Sequence, residues 1–255
     1  MADPVNWSNL TNWDWKAVVA LAALVLSQLP PLIPRIRRGK LKIQTYERLA
    51  VSHFIGNPGL QLLLHLENTG GRQIRVVRMI ASVTRGPEKF SLTAANYLER
   101  QDSTSTLILA PFKLEANAEW QHIVNFEFPL ESHEEKATKA LVSEMRADLL
   151  AKRETLTAEE KTSKYVDCEP NVLARANDMF KQRFKWNASE YHLDLTIETE
   201  PPKATTVRCY RFTLWESDSF DLRALTDDYS KGFGVCLPAK AAANVPTKLS
   251  ERAGK

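Results

Sequence analysis

The chain has 255 residues, of which 44% are hydrophobic and 25% charged, an ordinary globular composition that does not point to disorder. Its formal net charge of +3 is largely accounted for by one short basic cluster, and the balance elsewhere argues against specific nucleic-acid binding. Cys168, Cys209 and Cys236 are odd in number and widely spaced, which suits reduced thiols in a cytoplasm better than a disulfide framework.

Residues 1–12 read as a short extracytoplasmic N-terminus and residues 13–34 as a single-pass transmembrane helix. The run Ala17 to Ile33 carries no charge, and Trp13 and Trp15 stand at its upstream edge, where amphipathic rings favour the headgroup level. From Trp13 to Ile33 the stretch matches the roughly 20 residues needed to cross a hydrocarbon core. The basic segment 35–42 follows, with Arg35, Arg37, Arg38, Lys40 and Lys42. Cations are retained on the cytoplasmic side, so the N-terminus is expected outside and the rest of the chain in the cytoplasm. The same cations can contact anionic membrane lipids at about 1 kcal/mol each.

Two alternatives stand beside the anchor. A cleavable signal peptide would need a basic leading region, and the first fifteen residues contain no Lys or Arg. A buried core helix is the other, because Pro30, Pro31 and Pro34 end the helical part near Gln28 or Leu29 and shorten it.

Residues 43–237 read as a cytoplasmic β domain, with a strand already starting near Leu41 and running to Arg48. Leu60, Leu62, Leu64 and Leu66 alternate with polar residues up to Asn68-Thr69-Gly70-Gly71, which predicts a hairpin to a strand from Ile74 to Val83. The apolar phase of that second strand slips at Val76-Val77, as a β-bulge or two-sided burial would produce. Lys89 to Leu92, Thr106 to Leu109 and Phe112 to Leu114 are shorter candidates. Trp120, His122, Val124, Phe126 and Phe128 share one face of a further strand. Tyr191, Leu193, Leu195 and Ile197, then Tyr210, Phe212 and Leu214, repeat the alternation.

Between Glu131 and Glu190 the period changes. Ala137, Leu141, Met145 and Leu149 recur every four residues, widened by Val142 and Leu150, and Leu173, Ala176, Phe180 and Phe184 share a second helical face. Thr157-Ala158-Glu159-Glu160 is a capping box. The expected fold is therefore mainly β with an α insertion: an antiparallel sandwich interrupted by a helical hairpin over 131–190. The strands between roughly Leu41 and Trp215 are similar to an immunoglobulin-like or fibronectin-like sandwich, on patterning alone and without a Cys-Trp-Cys framework. Residues 238–255, rich in Ala and Lys, read as a flexible tail.

No catalytic, cofactor or metal site is assigned. His133-Glu134-Glu135-Lys136 lacks the second histidine of a zinc site and reads as a solvated first helical turn, as does Glu159-Glu160-Lys161. Gly232-Phe233-Gly234 lacks the third glycine of a phosphate loop. His65 and His122 read as structural strand histidines, and the cysteines show no nucleophile-plus-base spacing. The candidate partner surface comprises Lys181, Arg183, Lys185 and Trp186, with Asp227, Tyr229 and Phe233 in a loop after the last strand. These features favour a membrane-tethered interaction or sensing module that binds a protein partner, a small ligand or a second copy of the chain. The alternatives are a membrane effector that oligomerises through its anchor and perturbs the bilayer, and a hydrolase whose site is assembled across strands.

Overall fold

The computed structural model describes residues 18–27, 38–99, 105–240 and 244–252. Residues 18–27 form helix α1, whose Leu24 and Leu26 are exposed. Ten residues rise about 15 Å, half the thickness of a hydrocarbon core. Among the described residues no helix is long and apolar enough to cross a membrane. The remainder of the expected anchor over 13–34, together with Arg35 and Arg37, lies outside the described residues.

The β domain comprises β1 (Leu41–Phe54), β2 (Asn57–Asn68), β3 (Ile74–Arg85), β4 (Glu88–Leu98), β5 (Thr106–Ile108), β6 (Phe112–Leu114), β7 (Glu119–Glu127), β8 (Ser189–Glu200), β9 (Thr206–Leu214), β10 (Val245–Lys248) and β11 (Ser250–Glu251). All pair antiparallel in one sheet of order β10-β1-β2-β7-β4-β3-β8-β9-β11, with β5 on β4 and β6 on β3. The mainly β composition with a helical insertion matches the sequence reading. Hydrogen bonding, however, runs in one continuous path and marks no division into two sheets.

The C-terminal segment nearly closes that path. β10 pairs with β1 from Val51↔Val245 to Arg48↔Lys248, and β11 then pairs with β9 at Ser250↔Arg211. A register shift in β1 between Thr45 and Leu49 leaves the Glu47 carbonyl to accept from the Leu249 amide at 2.7 Å. Val245–Lys248 and Ser250–Glu251 are thus strand, which corrects the reading of 238–255 as a flexible tail. Val245, Thr247 and Leu249 alternate inward and are buried. That is the same period of two as in the central strands, in a stretch whose Ala and Lys content hid it.

Alternation is faithful elsewhere. Leu60, Leu62, Leu64 and Leu66 of β2, Val124 and Phe126 of β7, and Tyr191 to Ile197 of β8 are buried at alternate positions. Each such side chain contributes roughly 1.5–3 kcal/mol. The bulge expected in β3 is present, as a register shift against β8 between Val76 and Arg78.

The expected β2–β3 hairpin does not form. β2 pairs with β1 and β7, and β3 with β4, β6 and β8. The Asn68-Thr69-Gly70-Gly71 turn instead carries the chain across the barrel end. Gly70 allows close approach there, since a Cβ would lie 2.2 Å from the Arg38 carbonyl oxygen. Asn68 is fully buried; its Nδ2 donates to the carbonyls of Arg72, Leu114 and Glu115, and its Oδ1 accepts from the Gly70 amide. Consecutive strands pair instead as β1–β2 through Ile55-Gly56, β3–β4 through Gly86-Pro87 and β8–β9.

The insertion contains α2 (Ser132–Glu154), α3 (Ala158–Ser163) and α4 (Pro170–Arg183). The capping box expected at Thr157 and Glu160 caps α3. On α2 the buried stripe is Thr138, Leu141, Met145 and Leu149, while Ala137 and Leu150 face outward. These helices form a second core with Cys168, Val172, Ala176, Tyr229 and Val235. Ile55, at the tip of the β1–β2 hairpin, enters the same core with φ of 47°, an unusual angle for a β-branched residue. Gly56, at φ 79°, lets that tip approach α4, since a Cβ there would stand 2.5 Å from the Phe180 carbonyl oxygen.

After β9, α5 (Glu216–Ala224) and a 3-10 segment at Leu225–Lys231 replace the loop expected at that point. His53 ties α5 to β1: its ring lies 2.7 Å from the Leu222 carbonyl oxygen through Nε2 and accepts from the Gly56 amide through Nδ1.

Candidate functional site

The structure separates the residues of the expected partner surface. Lys181 is exposed, 3.8 Å from Asp178. Arg183 instead donates to Thr138 Oγ1 at 2.8 Å, and Lys185 Nζ lies 5.9 Å from the centre of the Phe90 ring. Trp186 is fully buried, donating from Nε1 to the Ser52 carbonyl at 2.7 Å and packing against Phe90 and Tyr191. It fixes the end of the insertion to the barrel and presents no surface.

The second group divides in the same way. Asp227 is exposed, whereas Tyr229 is 1% exposed inside the helical core. Burial pushes the Tyr229 phenol well above its usual range, and its hydroxyl has no hydrogen-bond partner among the described residues. Phe233 is half-buried and meets Tyr165 edge-on at 5.2 Å. In the basic segment, Arg38 and Lys40 are exposed and Lys42 is also exposed, 3.1 Å from Glu67.

What the fold does bring together is a cleft of about 300 Å³ between α2, α3 and the 231–237 turn. α2 supplies Arg146 and Arg153, seven residues apart and so on one face, with Leu149 and Leu150 between them. α3 supplies Lys161, and Lys164 caps its C-terminus, while Lys231 ends the 3-10 segment. Leu149, Leu150, Tyr165, Val166 and Leu237 form the apolar part, and among the described residues no acid lines the cleft. Leu150 remains 55% exposed.

Most of this charge is uncompensated. Lys164 is 2.9 Å from Glu160. Arg146 and Arg153 donate to the backbone carbonyls of Cys236 and Lys161. Among the described residues no carboxylate lies within ion-pair distance of Arg146, Arg153, Lys161 or Lys231. The Tyr165 wall is held by Phe233 and by Lys240, whose Nζ is 4.4 Å from the Tyr165 ring centre and 3.6 Å from Asp228.

This cluster was present in the sequence only as the spacing Arg146-x-x-Leu149-Leu150-x-x-Arg153, which is also how a solvated helical face is written. Its convergence with Lys231, about eighty positions on, comes from tertiary packing. Nucleophilic chemistry finds little support. Burial pushes the Cys168 and Cys236 thiols up, and the side-chain hydrogen bond with Asp194, aided by burial, does so for Cys209, so each holds less of the reactive thiolate. His133 lies on the surface beside Glu131. Among the described residues no three His, Cys, Asp or Glu side chains converge in a metal-binding arrangement. No protein-family model matches the chain, and no curated protein matches it in sequence.

Proposed function

We propose that the protein is a membrane-tethered binding module, in which the nearly closed sheet is a rigid base and the helical insertion carries recognition at the cleft between α2 and α3. The observation behind this reading is that four cations without carboxylate partners surround exposed apolar surface in one concave site. Positive charge without a carboxylate partner and exposed leucine in one concavity both suit a ligand. The tether is the uncharged run Ala17 to Ile33 with the basic residues after it, which places the β domain at the inner face of a membrane.

A photo-crosslinking amino acid at position 150, in the full chain in cells, tests the reading. The expected result is a covalent adduct that disappears when Lys161 and Lys231 are changed to Glu, with the adduct's class read by mass spectrometry. Absence of any adduct, or one indifferent to those changes, refutes binding at this cleft.

A further inference from the structure

Resting on the binding reading, we infer that the cleft takes a free single-chain anionic amphiphile, a fatty-acid-like molecule with its carboxylate at the cations and its chain along the apolar wall. The charge argument comes first. Arg146, Arg153, Lys161, Lys164 and Lys231 contribute five positive side chains, Glu160 offsets one, and among the described residues no acid lines the cleft. A neutral or cationic ligand would leave that field unanswered.

The apolar argument narrows the class. Leu150 and Leu237 are 55% and 42% exposed beside Val166 and Tyr165, so a small hydrophilic anion such as phosphate would leave this surface in water. Arginine and lysine also suit the boundary between the two parts, because their methylene stems cover apolar groups while their heads reach an anion. About 300 Å³ lies at the small end of ligand pockets and matches one short chain.

The test is calorimetric titration of the full chain in zwitterionic nanodiscs, against empty discs, with octanoate, decanoate and decanol below micelle formation. Saturable 1:1 decanoate binding is expected. Decanol should bind at least tenfold more weakly, and octanoate weaker by up to about fourfold for each methylene removed. The double variant Lys161→Glu, Lys231→Glu should lose at least tenfold in decanoate affinity at an unchanged melting temperature. Leu150→Ser, at an exposed position, should flatten the chain-length dependence and serves as the second probe if the double variant misfolds. Equal affinity for decanol and decanoate, or an affinity indifferent to both variants, overturns the inference. So does recruitment of phosphatidylglycerol vesicles without saturable decanoate binding. A peptide adduct at position 150 would also overturn it while leaving the binding reading intact.

Discussion

Asn68 offers a sharp test of how the barrel end is held. Its Nδ2 serves the carbonyls of Arg72 at 2.8 Å and of Leu114 and Glu115 at 3.0 Å, while Oδ1 accepts from the Gly70 amide at 3.1 Å. Asn68→Ala strands two buried groups, the Leu114 carbonyl and the Gly70 amide, at about 1–3 kcal/mol each. The carbonyls of Arg72 and Glu115 are part-buried and regain water at less cost. The expected loss is about 3–5 kcal/mol, a large share of the roughly 5–15 kcal/mol that holds a domain. With a urea slope of roughly 3 kcal/mol/M, the midpoint should fall by about 1–1.7 M.

Asn68→Asp separates hydrogen bonding from shape. The carboxylate is nearly isosteric but turns an acceptor toward three carbonyl oxygens, and protonation restores one donor. Its folded pKa should therefore rise above the unfolded value of about 3.9. The folded state then holds the proton where the unfolded state has lost it, so this variant's stability falls as pH rises from about 4 through the raised pKa. Denaturation curves for wild type and variant between pH 4 and 8 provide the measurement. Parallel curves, or an Asn68→Ala loss below about 1 kcal/mol, would refute the assignment of Asn68 as the organiser of this connection.

Burial lowers the His53 pKa, so the unfolded chain takes up a proton that the folded chain refuses, and stability should decline as pH falls through about 6.5. His53→Gln keeps a donor for Leu222 and should remove that component from a denaturation series at pH 5 to 8. Tyr229→Phe deletes a buried hydroxyl without a partner among the described residues, so its melting temperature should be unchanged or higher, by up to about 1 kcal/mol of stability. Truncation after Lys240 removes buried Val245 and Leu249 and bares the edge of β1, and should cost about 3–6 kcal/mol with a tendency to aggregate; an unaltered melting curve would show that the closing strands contribute nothing. Orientation requires a new reporter, because Cys168 is buried and Cys209 and Cys236 are half-buried. In a background without these cysteines, Ser143→Cys on the exposed face of α2 should resist an impermeant reagent in intact cells and react after lysis, and labelling before lysis would reverse the topology.

Local rules made much of this protein legible. Alternation in Leu60 to Leu66, Val124 to Phe126 and Tyr191 to Ile197 named the inward face, because side-chain direction in a strand depends only on parity. The slip at Val76-Val77 announced a bulge, and Thr157 with Glu160 announced a helix start, since both are settled within four residues. Pairing follows no such rule. β2 and β3 are adjacent in sequence and carry turn residues between them, yet β7 and β8, supplied from far along the chain, occupy the edges they would have shared. Burial of aromatics was equally nonlocal: Trp186 and Tyr229 sit among charged and polar neighbours in the sequence and inside two different cores in space. The cleft belongs to this second kind of fact. Arg146 and Lys231 each read as a solvated cation on its own segment, and only the packing of the 3-10 segment against α2 turns separate charges into one field, because electrostatic potential sums over distance in space rather than along the chain.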